Sequence, residues 1–282
     1  MSGPLLISTL LEALASALPI ALAAMGGLLT EFAGSLSVAL EGSMLGGAFA
    51  ALVAFSAFAS LPLAMLAAAL VGASIGLLVG LVSTRLRADV FVAGLAANLL
   101  VPALVALASE RGFSTKGVVV LEPAEASLAQ GKGMEILVIF ALLIFGLWLL
   151  VDRTVLGPRF RAAGEKDEAA RAAGLDRDGL RVAAHAVAGA AAGLAGVSLS
   201  MAIGAFVPGM SAGRGWMALV AIYLGGKKPA GILVASLAFG LLLAFANLAQ
   251  TSRWLPPELL PALPWLVTAT VYIASRKTRR RA

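Results

Sequence analysis

Runs of about twenty apolar residues follow one another along the chain, and a run of that length crosses the ~30 Å hydrocarbon core of a bilayer as a helix. They cover Leu5–Leu29, Leu36–Ala59, Leu61–Ser83, Ala88–Ala108, Glu135–Val151, Val182–Ala205, a short Gly215–Leu224, Ala230–Leu248 and Leu259–Ala274. The pattern predicts an all-α integral membrane protein with about nine transmembrane helices, eight to ten being the range. Glu41-Gly42 interrupts the second run and the seventh is too short to cross alone. Both fit broken or re-entrant helices buried in protein. The first run has no basic n-region or small-residue cleavage site and reads as a retained span.

Composition agrees. Sixty per cent of the 282 residues are hydrophobic and 13% charged, against roughly 45–50% and 25% in soluble domains. The net charge of +6 does not point to nucleic acid, because the basic residues sit between spans and at the C-terminus. Cysteine is absent, which removes disulfides, thiolate metal sites and cysteine nucleophiles.

With the N-terminus outside, sixteen of the 21 Lys and Arg fall on one side. They are Arg85 and Arg87, the group from Arg153 to Arg181, Lys227 and Lys228, and the tail from Arg276 to Arg281. The five others are Arg111, Lys116, Lys132, Arg214 and Arg253. The richer side marks the cytoplasm, so the C-terminus is expected inside. One transmembrane domain then spans 1–282, with an external loop at 109–133, a cytoplasmic loop at 152–181 and a basic cytoplasmic tail at 275–282.

Helices in lipid associate through close backbone approach at small residues. Gly72, Gly76 and Gly80 form one row at four-residue spacing, Gly42, Gly46 and Ala50 a second, and Gly189, Gly193 and Val197 a third that breaks off. They read as packing seams of a compact bundle.

The cytoplasmic loop contains Arg161-Ala-Ala-Gly164-Glu165-Lys-Asp167-Glu168-Ala169-Ala170-Arg171-Ala-Ala-Gly174. Asp167 is a candidate N-cap, Glu168 to Ala173 a helix of about two turns, and Gly174 its left-handed stop. Glu168 and Asp167 can both pair with Arg171. So short a helix is marginal alone in water, and its alanine surface suits a cleft in a soluble partner.

This stretch resembles the cytoplasmic coupling segment of ABC-importer permeases of the branch serving simple sugars, nucleosides and branched-chain amino acids. Arg161, Gly164, Glu165, Ala169, Ala170, Ala173 and Gly174 carry the likeness, while Lys166-Asp167 replaces the usual Asn-Pro. Three more islands follow the same family in order: Glu41-Gly-Ser-Met44, Gly94-Leu-Ala-Ala-Asn98-Leu-Leu, and Ala212-Gly-Arg-Gly-Trp-Met-Ala-Leu219. Before Glu41 the family usually has Asn-Ile-Gly, where this chain has Ser37-Val38-Ala39.

The resemblance, strongest to the smaller permease of nucleoside systems, implies a transport subunit of the bacterial inner membrane rather than an enzyme. Its expected partners are a cytoplasmic ABC ATPase, a second homologous permease, membrane lipids and a periplasmic or lipid-anchored substrate-binding protein. The chain itself would bind no cofactor, ATP and Mg being used by the ATPase. The sequence contains no Gly-x4-Gly-Lys-Ser/Thr phosphate loop. By the resemblance, Arg161, Gly164, Glu165, Asp167, Glu168, Ala169, Ala170 and Gly174 face the ATPase.

Polar side chains within spans are costly and therefore candidates for function. Glu41, Asn98, Asn247 and Gln250 either line the substrate pathway or fix the bundle through interhelical hydrogen bonds. His185, the only histidine, reads as packing or interfacial rather than catalytic. Arg214, placed on the external side, reads either as an interfacial anchor with Trp216 or as a contact for a phosphate, a head group or the binding protein. The main alternative is a self-contained secondary transporter or channel. An intramembrane enzyme would need paired aspartates, metal-binding histidines or an activated serine, and none stands out.

Overall fold

The structure, a computed structural model, describes residues 3–165, 170 and 174–251. Its helices are α1 (Gly3–Phe32), α2 (Leu40–Phe58), α3 (Leu61–Arg85), α4 (Val90–Phe113), α5 (Pro123–Gly131), α6 (Gly133–Arg153), α7 (Leu156–Gly164), α8 (Arg177–Ile203), α9 (Arg214–Leu224) and α10 (Pro229–Thr251). Among the described residues seven helices are long and apolar enough to cross a membrane, and α9 is a shorter apolar helix. The expected span Leu259–Ala274 and the tail 275–282 lie outside the described residues.

Local chemistry sets several boundaries. Asp89 caps α4 by accepting from the Phe91 and Val92 amides. Asp176 caps α8 through the Gly179 amide at 3.0 Å. Gly204 ends α8 in the left-handed region, at φ 64°.

The bundle is built from two similar triplets: α1, a break and α2, then α3; and α8, a break and α9, then α10. They are inverted with respect to one another. Arg181 of α8 meets residue 33 of α1, while Gly26 of α1 approaches Ala188 and Ala191, so the two long helices run antiparallel. α3 lies along α8, and α10 lies along α1 with Asn247 beside Glu12 and Gly240 against Ala13 and Ala17. The expected packing seam is the α3–α8 contact: a Cβ on Gly72 would strike the Gly189 carbonyl, and one on Gly76 that of His185. Gly47 of α2 abuts Gly193 of α8 just as closely.

Arg85, Arg153, Arg177, Arg181 and Lys227 gather at one end of the bundle, by the ends of α1, α3, α6, α8 and α9. At the other end β1 (Val119–Val120) pairs antiparallel with β2 (Ala205–Phe206). Phe49 holds this clip edge-on, 5.2 Å from Phe206 and 6.4 Å from Phe113.

The structure departs from the sequence expectations in four places. The second span is broken before Glu41, over 33–39, rather than at Glu41-Gly42, and α2 starts only at Leu40. Residues 109–133 are not a plain loop: α4 runs on through Glu110 and Arg111 to Phe113, and β1 and α5 follow. The stretch 152–181 contains α7, and α8 starts at Arg177 instead of Val182. Arg214 is half-buried, because the chain after β2 folds back into the bundle and α9 starts beside Glu41.

Candidate functional site

A helix that starts inside a bundle exposes amide groups with no intrahelical partner, and within a membrane those groups need protein acceptors. Here two such starts, of α2 and α9, meet. Glu41, in the first turn of α2, accepts from the Gly213 amide at 2.9 Å through Oε1 and from the Gly215 amide at 2.7 Å through Oε2. The carboxylate thus caps α9 and sits at the positive end of its dipole. Gly215 has no room for a side chain: a Cβ would collide with the backbone of Glu41.

Asn98 stitches the other break. Its Oδ1 accepts from the Gly42 amide at 2.8 Å, and its Nδ2 donates to the Val38 carbonyl at 2.9 Å. Gly94, one turn earlier on α4, lets Val38 approach. Both central polar candidates therefore spend their hydrogen bonds on main chain. Asn98→Leu is expected to cost about 1–3 kcal/mol, the penalty for stranding buried backbone groups, read as a lower melting temperature in detergent. Unchanged melting would remove the stitching role.

The break at 33–39 is also held from the basic end. Arg181 donates from Nε to the Ala33 carbonyl at 3.0 Å and from a terminal nitrogen to that of Gly34 at 3.2 Å. His185, buried with no exposure, lies 2.8 Å from the Ser35 hydroxyl through Nε2. The Ser37 amide donates to the Thr30 hydroxyl at 3.1 Å. Glu31 pairs with Lys227 and accepts from Tyr223 at 2.9 Å, which ties the end of α1 to the end of α9.

The candidates in the 152–181 stretch join this assembly. Gly164, the last residue of α7, packs on residues 32–34 so closely that a Cβ would strike the Phe32 carbonyl. Arg161 lies 4.4 Å over the Phe32 ring and 3.9 Å from Asp152. Arg177 donates to the Ala163 carbonyl at 2.7 Å and to that of Glu165 at 3.5 Å. Ala170 is buried, Gly174 is left-handed at φ 67°, and the Leu175 amide reaches the Ala170 carbonyl at 3.0 Å, the bond that closes a Schellman stop. Asp167, Glu168 and Ala169 lie outside the described residues.

Asn247 is separate from the hub and donates to Glu12 at 2.7 Å. Gln250 falls on α10, its side chain outside the described set. Among the described residues no three His, Asp or Glu side chains gather as metal ligands. Sequence reasoning missed Glu12, Glu31, Arg177 and Arg181. Glu12 had a signal, being a carboxylate inside the first apolar run. The two arginines had none, since their acceptors are carbonyls far away in sequence.

Paired broken helices in a polytopic bundle, joined to a basic loop, are the architecture of a transporter core, and sequence comparison identifies which kind. Residues 9–271 match the family described as the permease component of branched-chain amino acid transport systems. The chain belongs to that family. It is 28% identical over 281 residues to the nucleoside ABC transporter permease protein NupC of Lactococcus lactis subsp. cremoris strain MG1363, covering 90% of this chain and 87% of the relative. It is 30% identical over 249 residues to the guanosine ABC transporter permease protein NupQ of Bacillus subtilis strain 168, covering 79% and 77%. In fold it is similar to a metal-chelate type ABC transporter in an inward-facing conformation, with a TM-score of 0.55, 20% identity, and 93% and 86% of the two chains covered. The protein is thus a multi-pass membrane permease, a transport subunit rather than an enzyme.

Proposed function

We propose that this permease forms one half of the translocation pathway of an ATP-driven importer for nucleosides or related purines, paired with a second homologous permease. The observation that carries the reading is the direct hold of the cytoplasmic loop on the break after α1. Gly164 packs on residues 32–34, Arg181 donates to the Ala33 and Gly34 carbonyls, and Arg177 ties the start of α8 to the Ala163 carbonyl beside Gly164; that break leads within a few residues to Glu41 and the start of α9. A partner ATPase docked around Arg161–Gly174, using ATP and Mg, would move the break as a unit. Such two-state elements carry domain motions.

In this reading the basic end is cytoplasmic, following the excess of Lys and Arg, and a substrate-binding protein delivers cargo at the end formed by 109–133. Glu41 and Asn98 position the pathway helices, while Asn247 and Gln250 lie closer to the cargo. An uncharged cargo is favoured because the Glu41 carboxylate already occupies the N-terminus of α9, where an anionic substrate would otherwise settle.

The test is a mild-detergent purification of the tagged chain, with mass identification and an ATPase assay. Recovery of an ATPase and a second permease, cross-linked through 161–174, is the expected result. Recovery of this chain alone, still transporting nucleoside in liposomes without ATP, moves the assignment to a secondary transporter. Gly174→Pro is incompatible with the φ of 67° and is expected to reduce uptake at least tenfold while the protein still reaches the membrane. Normal uptake by that variant would count against the docking segment.

A further inference from the structure

Glu41 accounts for the start of α9 but not for its far end, which a second carboxylate holds. Glu31, in the last turn of α1, accepts from the Tyr223 hydroxyl at 2.9 Å through Oε2 and pairs with Lys227 through Oε1. The Lys227 ammonium lies 5.4 Å from the centre of the Tyr223 ring, so the three side chains form one cluster. The chain bends to bring Lys227 there. Gly226 and Lys227 both take the left-handed conformation, at φ 63° and 57°, and the Lys227 amide donates to the Ile222 carbonyl at 2.9 Å. Left-handed backbone is disfavoured at a residue with a side chain, and such strain persists where the surrounding structure fixes it.

Exposure and position give this cluster a role other than stability. The Glu31 side chain is 13% exposed and that of Lys227 48%, and ion pairs so open to solvent add little to the folded state. Glu31 and Glu41 flank the first break and hold opposite ends of α9, whose 11 residues rise about 16 Å. The break and α9 therefore run side by side in opposite directions between two shared ties, and together they close a frame. Glu31 is also where the hold of α8 on the break arrives. Its carbonyl accepts from the Gly34 amide at 3.1 Å, and the Ala33 and Gly34 carbonyls accept from Arg181.

We infer that α9 moves with the first break as one rigid gating unit, and that Glu31 is the positioning residue that makes it follow, with Tyr223 and Lys227 as its partners. The inference rests on the importer reading above and adds which helix the ATPase stroke reaches and through which side chains. Without the clamp α9 is tied to the break only through Glu41, so a displacement of residues 32–34 bends the break and leaves the far end of α9 behind. The clamp stays closed through the transport cycle and is not a latch that opens.

The test uses the complete transporter in liposomes, with its ATPase, second permease and substrate-binding protein, and follows uptake of radiolabelled adenosine and guanosine together with ATP hydrolysis. Tyr223→Phe with Lys227→Met is expected to lower uptake at least tenfold while hydrolysis stays within twofold, so that uptake per ATP falls at least fivefold. A merely structural role lowers both together, along with the melting temperature. Cysteine is absent from the chain, so Glu31→Cys with Lys227→Cys introduces a single pair of thiols into this subunit. That variant is expected to lose uptake per ATP in the same way and to regain at least half of it once a short bismaleimide joins the pair, the link being confirmed by mass. Unchanged uptake per ATP in the first variant, or a joined pair that still fails to transport, overturns the inference. An unmodified transporter whose uptake needs no ATP fails the importer reading instead.

Discussion

Glu41→Ala is expected to abolish uptake and to lower the stability of the folded bundle by roughly 2–5 kcal/mol, the cost of stranding two part-buried amide donors at about 1–3 kcal/mol each. Polar contacts between transmembrane helices average only about 0.6 kcal/mol, because side chains find other partners when a contact is lost. That discount does not apply here. The Gly213 and Gly215 amides belong to a helix start inside the bundle, and no other described side chain accepts from them. Stranded backbone groups at membrane depth cost several kcal/mol each, and Gly215 is too close to the Glu41 main chain to admit a replacement acceptor of its own. Glu41→Gln is expected to be nearly as damaging, since an amide facing two N–H donors can satisfy only one. The measurements are melting temperature in detergent and nucleoside uptake at matched membrane levels. An alanine variant with wild-type melting and uptake would show that the two helix starts do not depend on this carboxylate.

The regions that sequence reveals and those it hides differ for a physical reason. Apolar runs locate the membrane helices because lipid imposes the same demand on every span. The glycine rows on α3 and α8 were legible as seams because close approach needs small residues at fourth positions. α7 was hidden: its nine residues include Arg159 and Arg161, and it docks through Gly157, Phe160 and Ala163, too few apolar positions to register as a span. The depth of Arg214 is hidden for a related reason. Counting charges in connections assumes that each connection lies at a surface, whereas the stretch between β2 and α9 re-enters the bundle and places Arg214 between two glycine amides bound to Glu41.

The candidate site was legible residue by residue but not as an assembly. Glu41 and Asn98 stand out as polar groups in apolar surroundings. Their partners are 172 and 56 positions away, and no local spacing rule reaches that far. Because the triplets are inverted, the start of α2 comes to face the start of α9, and a carboxylate on the first caps the second. The grip of Arg181 and Gly164 on the first break follows from the same arrangement, since α8 runs antiparallel to α1 and its N-terminus lies beside α1's C-terminus.

The other large effect is expected at the seam between the triplets. In α8 a Cβ on Gly189 would strike the Gly72 carbonyl and press on the Cα of Gly76, while Gly72 and Gly76 in turn have no room on the α8 side. Main-chain atoms cannot move out of the way as a flexible side chain would, so α3 and α8 would have to separate along their length. Gly189→Ala is therefore expected to cost about 1–3 kcal/mol, as overpacking does in a tight core, and Gly189→Leu to prevent stable assembly. Gly146 in α6 is the control, because nothing lies within 4 Å of a Cβ built there. Gly146→Ala is expected to be neutral or to stabilise by up to about 1 kcal/mol, the helix-propensity difference between the two residues. Melting temperatures of both alanine variants in the same detergent decide the matter: a marked fall at 189 with none at 146 is the expected result. Equal behaviour would mean that α3 and α8 are not in backbone contact, and the inverted pairing of the triplets would have to be abandoned.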